Sequence, residues 1–140
     1  MVSLLVTHVQ NENVARQAVA GQQVRAAEQL EAATNVLYQN TTNIYNFGLQ
    51  CTSGGHNTWA DCAGQALQVF SGYTEALTAF NTDTSNVADR TAAELANQFG
   101  SQSGGMLSVR SAADAKTLFP RIVTTYVALI RRCGLLVQGG

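Results

Sequence analysis

The chain has 140 residues, a formal net charge of −1 and only 12% charged residues, about half the usual share. That length allows one domain with a core of limited stability. The charge balance excludes a phosphate-tracking nucleic-acid binder, since Arg131 and Arg132 are the only adjacent cations.

The charges are also lopsided in kind: Lys116 is the sole lysine and the other seven cations are arginines. Surface polarity must come from Gln, Asn, Thr and Ser. Such a surface hydrates well but repels copies of itself weakly, whereas soluble monomers usually carry roughly a quarter to a third charged residues. Burying a neutral amide costs far less than burying a charge, so this composition suits a subunit that packs against neighbours. No apolar run approaches the ~18 residues of a membrane span. The opening MVSLLVTHVQ lacks the basic segment and cleavage site of a secretion signal. A virion or cytoplasmic setting is the expectation, because three cysteines are few for a disulfide scaffold.

Alanine-rich segments, a single proline and sparse strand signals predict an all-α fold. In the first segment Leu30, Leu37 and Ile44 fall seven apart, and Val19, Ala26, Ala33, Asn40 and Phe47 form a second ladder three residues out of step. Together they make a helical seam from about Val19 to Phe47. Run backwards, the seam takes in Val9, Leu5 and Val2, with Glu12, Arg16 and Gln23 as interruptions. Either this helix breaks near Asn11–Asn13, or it is continuous and part of it belongs to a neighbour. Asn40 either fixes the register of an interface or lies in a turn where QNTTN frays the helix.

A second helix is expected from Thr58, whose spacing to Asp61 matches a capping box, and Leu67, Phe70, Tyr73, Leu77 and Phe80 give it an apolar face. NTDTSN, Asn81 to Asn86, reads as a turn. A third helix runs from about Val87 to Gly100, and SQSGGMLS, Ser101 to Ser108, reads as a flexible connection. A short helix from Ser111 stops before Pro120, which opens the last and most apolar helix, closed by Arg131 and Arg132 and then Gly134. The expected architecture is four main helices plus a short one. They form an antiparallel helical bundle over residues 1–140, or an open helical array completed by neighbouring subunits. The apolar terminal segments, about 1–9 and 134–140, either pack back on the chain or dock on neighbours.

The one stretch that resembles chemistry is CTSGGHNTWADC. Zinc takes about four Cys or His ligands, and Cys51, His56 and Cys62 supply only three, leaving Cys133 or His8 to come from another helix. No Cys-x-x-Cys supports redox catalysis. Buried reduced thiols at helix ends are the expectation, with a Cys51–Cys62 disulfide across Gly54 and Gly55 as the alternative. No nucleophile motif, carboxylate pair or phosphate loop is present to suggest an enzyme, and no metal or cofactor is expected.

The function expected is therefore a non-enzymatic, self-assembling structural subunit, a virion or filament component. Its partners would be copies of itself and other structural proteins of the same particle, without specific nucleic acid. The assembly interface is expected at Val2, Leu5, Val9, Leu30, Leu37, Asn40 and Ile44, with Leu135, Leu136 and Val137 at the tail. The alternative is a small binding module for an apolar ligand or a partner helix, lined by Tyr38, Tyr45, Trp59, Phe70, Tyr73, Phe80 and Tyr126.

Overall fold

The computed structural model describes the backbone of residues 2–139 and the side chains of residues 20–139. It is all-α, with five helices: α1 (Val2–Thr52), α2 (Trp59–Val69), α3 (Gly72–Asn86), α4 (Arg90–Ser108) and α5 (Ala112–Gly139). Helices α1, α3, α4 and α5 run alternately up and down as an antiparallel bundle. The short α2 closes the end at which α1 finishes, packing on α1 and α4.

The 51 residues of α1 pass through positions 11–13 without a break and span about 77 Å. The QNTTN run does not fray. Its side chains bond to the preceding turn instead of competing with the helix: the Asn40 amide donates to the Val36 carbonyl at 2.9 Å and the Thr41 hydroxyl to Leu37 at 2.7 Å.

Several expected boundaries move, each for a local reason. The second expected helix is two: α2 ends where the Phe70 N–H returns to the Ala66 carbonyl, and α3 starts after Ser71. Residues 81–86 are helical rather than a turn, with Thr82 and Thr84 donating to carbonyls four residues back. Helix α4 continues past Gly100 through residues 101–108, because Ser103 and Met106 lie on its inner face and are fully buried. The short helix and the last one are a single α5. Pro120 sits on its solvent side, where the carbonyl it leaves without a partner can be hydrated, while Ala115 and Ile122 are anchored in the core on either side. Gly134 lies inside α5, so Arg131 and Arg132 are not in its last turn.

The core joins Leu30, Leu37 and Ile44 of α1 to Phe80, Phe99, Ile122 and Leu129. Phe80 and Phe99 meet edge to face at 5.5 Å. Ala92, Ala96 and Ala115 are also fully buried, and side chains this small let the helix axes come close.

One polar chain crosses this core. The Thr41 hydroxyl donates to Leu37, so its oxygen is left to accept from Ser103 at 2.7 Å; Ser103 in turn accepts from the Tyr73 phenol at 2.9 Å. Each hydroxyl donates once, and α1, α3 and α4 are pinned in one register. Burial pushes the Tyr73 phenol above its ordinary pKa, an effect the Ser103 bond opposes.

At the α2 end, Trp59 is buried and donates its indole N–H to the Met106 carbonyl at 2.8 Å. The rim of its six-membered ring lies against Gly48, where an added Cβ would fall 2.6 Å from Cζ3. Gly48→Ala should therefore lower the unfolding free energy by about 1–3 kcal/mol, the usual cost of overpacking, in urea titrations followed by tryptophan fluorescence.

Candidate assembly surface

At the other end of the bundle, α3 turns into α4 through residues 87–89. Asp89 caps α4, accepting from the Ala92 N–H at 2.9 Å. Its two carboxylate oxygens also take a bidentate pair from Arg132, at 2.9 Å to Nε and 2.8 Å to the terminal nitrogen. The Arg132 hydrogen bonds, then the cap bond, hold the Asp89 carboxyl down at about 2. Arg132 thus ties α5 to the start of α4.

Beside this pair opens a cleft of about 390 Å³ between Gln23 of α1, Val87 and Ala88 of the turn, and Leu135, Leu136 and Gly139 of α5. Its lining mixes the apolar Val87, Leu135 and Leu136 with Gln23 and the Asp89–Arg132 pair. Leu135 is 59% exposed, the largest apolar side chain left so open among the described residues. A shallower groove between α1 and α3 is lined by Ala32, Ala33, Val36, Ala76 and Ala79.

The residues expected at an assembly interface divide between these surroundings. Leu30, Leu37 and Ile44 are fully buried inside the bundle, so they pack the chain's own core and have no free face for a neighbour. Asn40 is half-buried on the α3 side, with its amide oxygen near Gly72. Leu135, Leu136 and Val137 remain exposed or half-buried, and the first two line the cleft. The side chains of Val2, Leu5 and Val9 lie outside the described residues.

The aromatic residues considered for a ligand pocket pack within the bundle. Trp59, Tyr73 and Phe80 are core, while Tyr38 stacks on Tyr126 at 3.9 Å and Tyr45 on Phe119 at 4.2 Å along the α1–α5 seam. None of them lines either cleft.

The loop between α1 and α2 holds a Cys51–Cys62 disulfide, with Cα atoms 5.8 Å apart, in place of the two expected thiols. Gly55 takes the positive φ of 74° that lets the loop double back. His56 is exposed, and among the described residues no three His, Cys, Asp or Glu side chains converge as a metal site would need. Cys133 is buried and free, and burial pushes its thiol up to about 11, so it stays protonated and unreactive. No described helix is long and apolar enough to cross a membrane. Sequence reasoning missed the Asp89–Arg132 pair and the cleft, since both depend on residues 43 positions apart in the chain.

No protein family, curated protein or solved structure matches this chain.

Reducing the disulfide releases a loop of about a dozen residues and should cost about 2–3 kcal/mol, visible as a lower melting temperature with reductant. The pH dependence of Asp89 follows from its lowered pKa. Its stabilisation is fully present above the ordinary 3.8 and is lost as pH falls through about 2. Asp89→Asn should cost about 1 kcal/mol at pH 7, a figure kept small by solvent screening, and should match the parent below pH 2 in parallel denaturant titrations.

Proposed function

We propose that this chain is a non-enzymatic structural subunit that assembles with copies of itself, as a virion or filament component does. The observation that carries the reading is the mismatch between α1 and the bundle around it. Helix α5, the next longest, has 28 residues and spans about 42 Å against about 77 Å for α1. The α3–α4 turn and the described end of α5 both line the same cleft as Gln23. No partner within the fold is long enough to flank α1 over its whole length.

Composition supports the same reading. With so few charges, two copies meet with little repulsion and little desolvation cost. Leu135 adds an exposed apolar side chain at the end of the bundle from which α1 continues. A lone exposed leucine is common on monomers, so it is the combination with the long helix that favours association. The aromatic side chains that a binding module would need are engaged with one another or with the core and line neither cleft.

Mass measured by light scattering should rise above 14.9 kDa and grow with concentration, and electron-microscope grids should show defined multimers. Leu135→Asp should cap that growth while leaving helix content intact. A strict monomer at every concentration would sink the reading.

A further inference from the structure

We infer that two copies of this chain join through the amino-terminal part of α1, paired antiparallel about Val14 so that Glu12 of each copy meets Arg16 of the other. The inference rests on the self-assembly reading and names the surface that would carry it.

The register of the seam is fixed inside the bundle, where Leu30, Ala33, Leu37 and Ile44 are buried. Counting back along the continuous helix, one ladder passes through Gln23, Arg16, Val9 and Val2, and the other through Ala26, Val19, Glu12 and Leu5. Glu12 and Arg16 are the only charged residues on either ladder over the length of α1. The α3–α4 turn and the described end of α5 line one cleft with Gln23. From there α1 continues to Val2, about 30 Å of helix at 1.5 Å per residue.

In an antiparallel two-stranded seam, positions of one ladder face positions of the other, and a two-fold axis repeats every pair. Centred on Val14, Arg16 faces Glu12, Val9 faces Val19 and Val2 faces Ala26. A shift of one heptad in one direction sets Arg16 against Leu5 and Glu12 against Val9. A shift in the other sets Arg16 against Val19 and Glu12 against Gln23. Both leave each charge without a counter-ion on the facing helix. Parallel pairing sets Glu12 against Glu12 and Arg16 against Arg16. Of these arrangements a single one matches both charges.

The same register brings Leu5 of one copy opposite Gln23 of the other, at the mouth of the cleft walled by Val87, Leu135 and Leu136. The cleft then receives the first turn of the neighbour's α1, in continuity with the seam. The rival account of the two charges is an ion pair within one helix, four residues apart, which leaves mass unaffected.

Charge reversal and cross-linking of the full chain test this. Glu12→Arg and Arg16→Glu singly set like charges opposite each other and should each weaken association about tenfold or more by light scattering. The double swap should restore it to within a few-fold, with circular dichroism reporting helix content throughout. In a separate test, Val9→Cys and Val19→Cys chains are oxidised alone and mixed. The two positions face each other, whereas Val9 and its own copy, or Val19 and its own copy, are offset by about 15 Å along the helices, beyond disulfide reach. Covalent dimer is expected only in the mixture. Cross-linking of Val9→Cys alone, or association insensitive to every charge swap, overturns this register and leaves self-assembly to another surface. A wild-type chain that stays monomeric overturns both.

Discussion

Burying one face of α1 requires other helices that are each much shorter than it is, and that requirement organises the molecule. The seven-residue ladder of Leu30, Leu37 and Ile44 presents a narrow apolar stripe, to which α5 and α3 are applied from either side. Helix α4 then closes the bundle against α5 and α3. Because the stripe is narrow and the flanking positions of α1 are polar, lateral position has to be set by something more directional than hydrophobic burial. The Tyr73–Ser103–Thr41 chain does this, since shifting α4 by one turn would part the buried Ser103 and Tyr73 hydroxyls from their partners, each costing about 1–3 kcal/mol if left unpaired.

Periodicity and capping were readable in the sequence because they are local. The seam register depends on side chains three and four residues apart, and Thr58 caps α2 through the Asp61 N–H three residues on. The breaks were misread wherever a local signal met a tertiary one. Residues 101–108 contain two adjacent glycines and three serines, a composition that favours a loop. Yet Ser103 and Met106 are buried on one helical face, and their burial outweighs the propensity cost of about 1 kcal/mol per glycine. Pro120 is overridden in the same way, by Ala115 and Ile122. The threonines of residues 81–86 mislead for a different reason: in a helix their hydroxyls bond back to carbonyls and need no turn. The interface expected at Leu30, Leu37 and Ile44 shows the limit of periodicity, which marks a face as buried without saying by what.

The candidate surface was the less readable part. Leu135 and Leu136 stand out as apolar residues near the end of the chain, but what makes a cleft of them is the turn at residues 87–89 and the Asp89–Arg132 pair that line it with them. Arg132 read locally as a charge placed for the helix dipole. Its actual partner is the cap residue of another helix, and no short-range pattern encodes that choice.

The two ends of the bundle are built to different standards of rigidity. At the α2 end a covalent bond, a buried indole with its hydrogen bond satisfied and a glycine in contact with its ring leave little freedom for the loop to move. At the opposite end one partly exposed ion pair holds the α3–α4 turn to α5, and such pairs contribute little to stability once solvent screens them. That end also carries the open cleft, the exposed leucine and the direction in which α1 leaves the bundle. Ordering a soft surface on binding costs conformational entropy, and a rigid opposite end confines that cost to a few side chains. The disulfide lies at the end of the bundle opposite the cleft, so it fixes the end of α1 without occupying that surface. In the proposed assembly this division would confine adaptation to the end that carries the cleft.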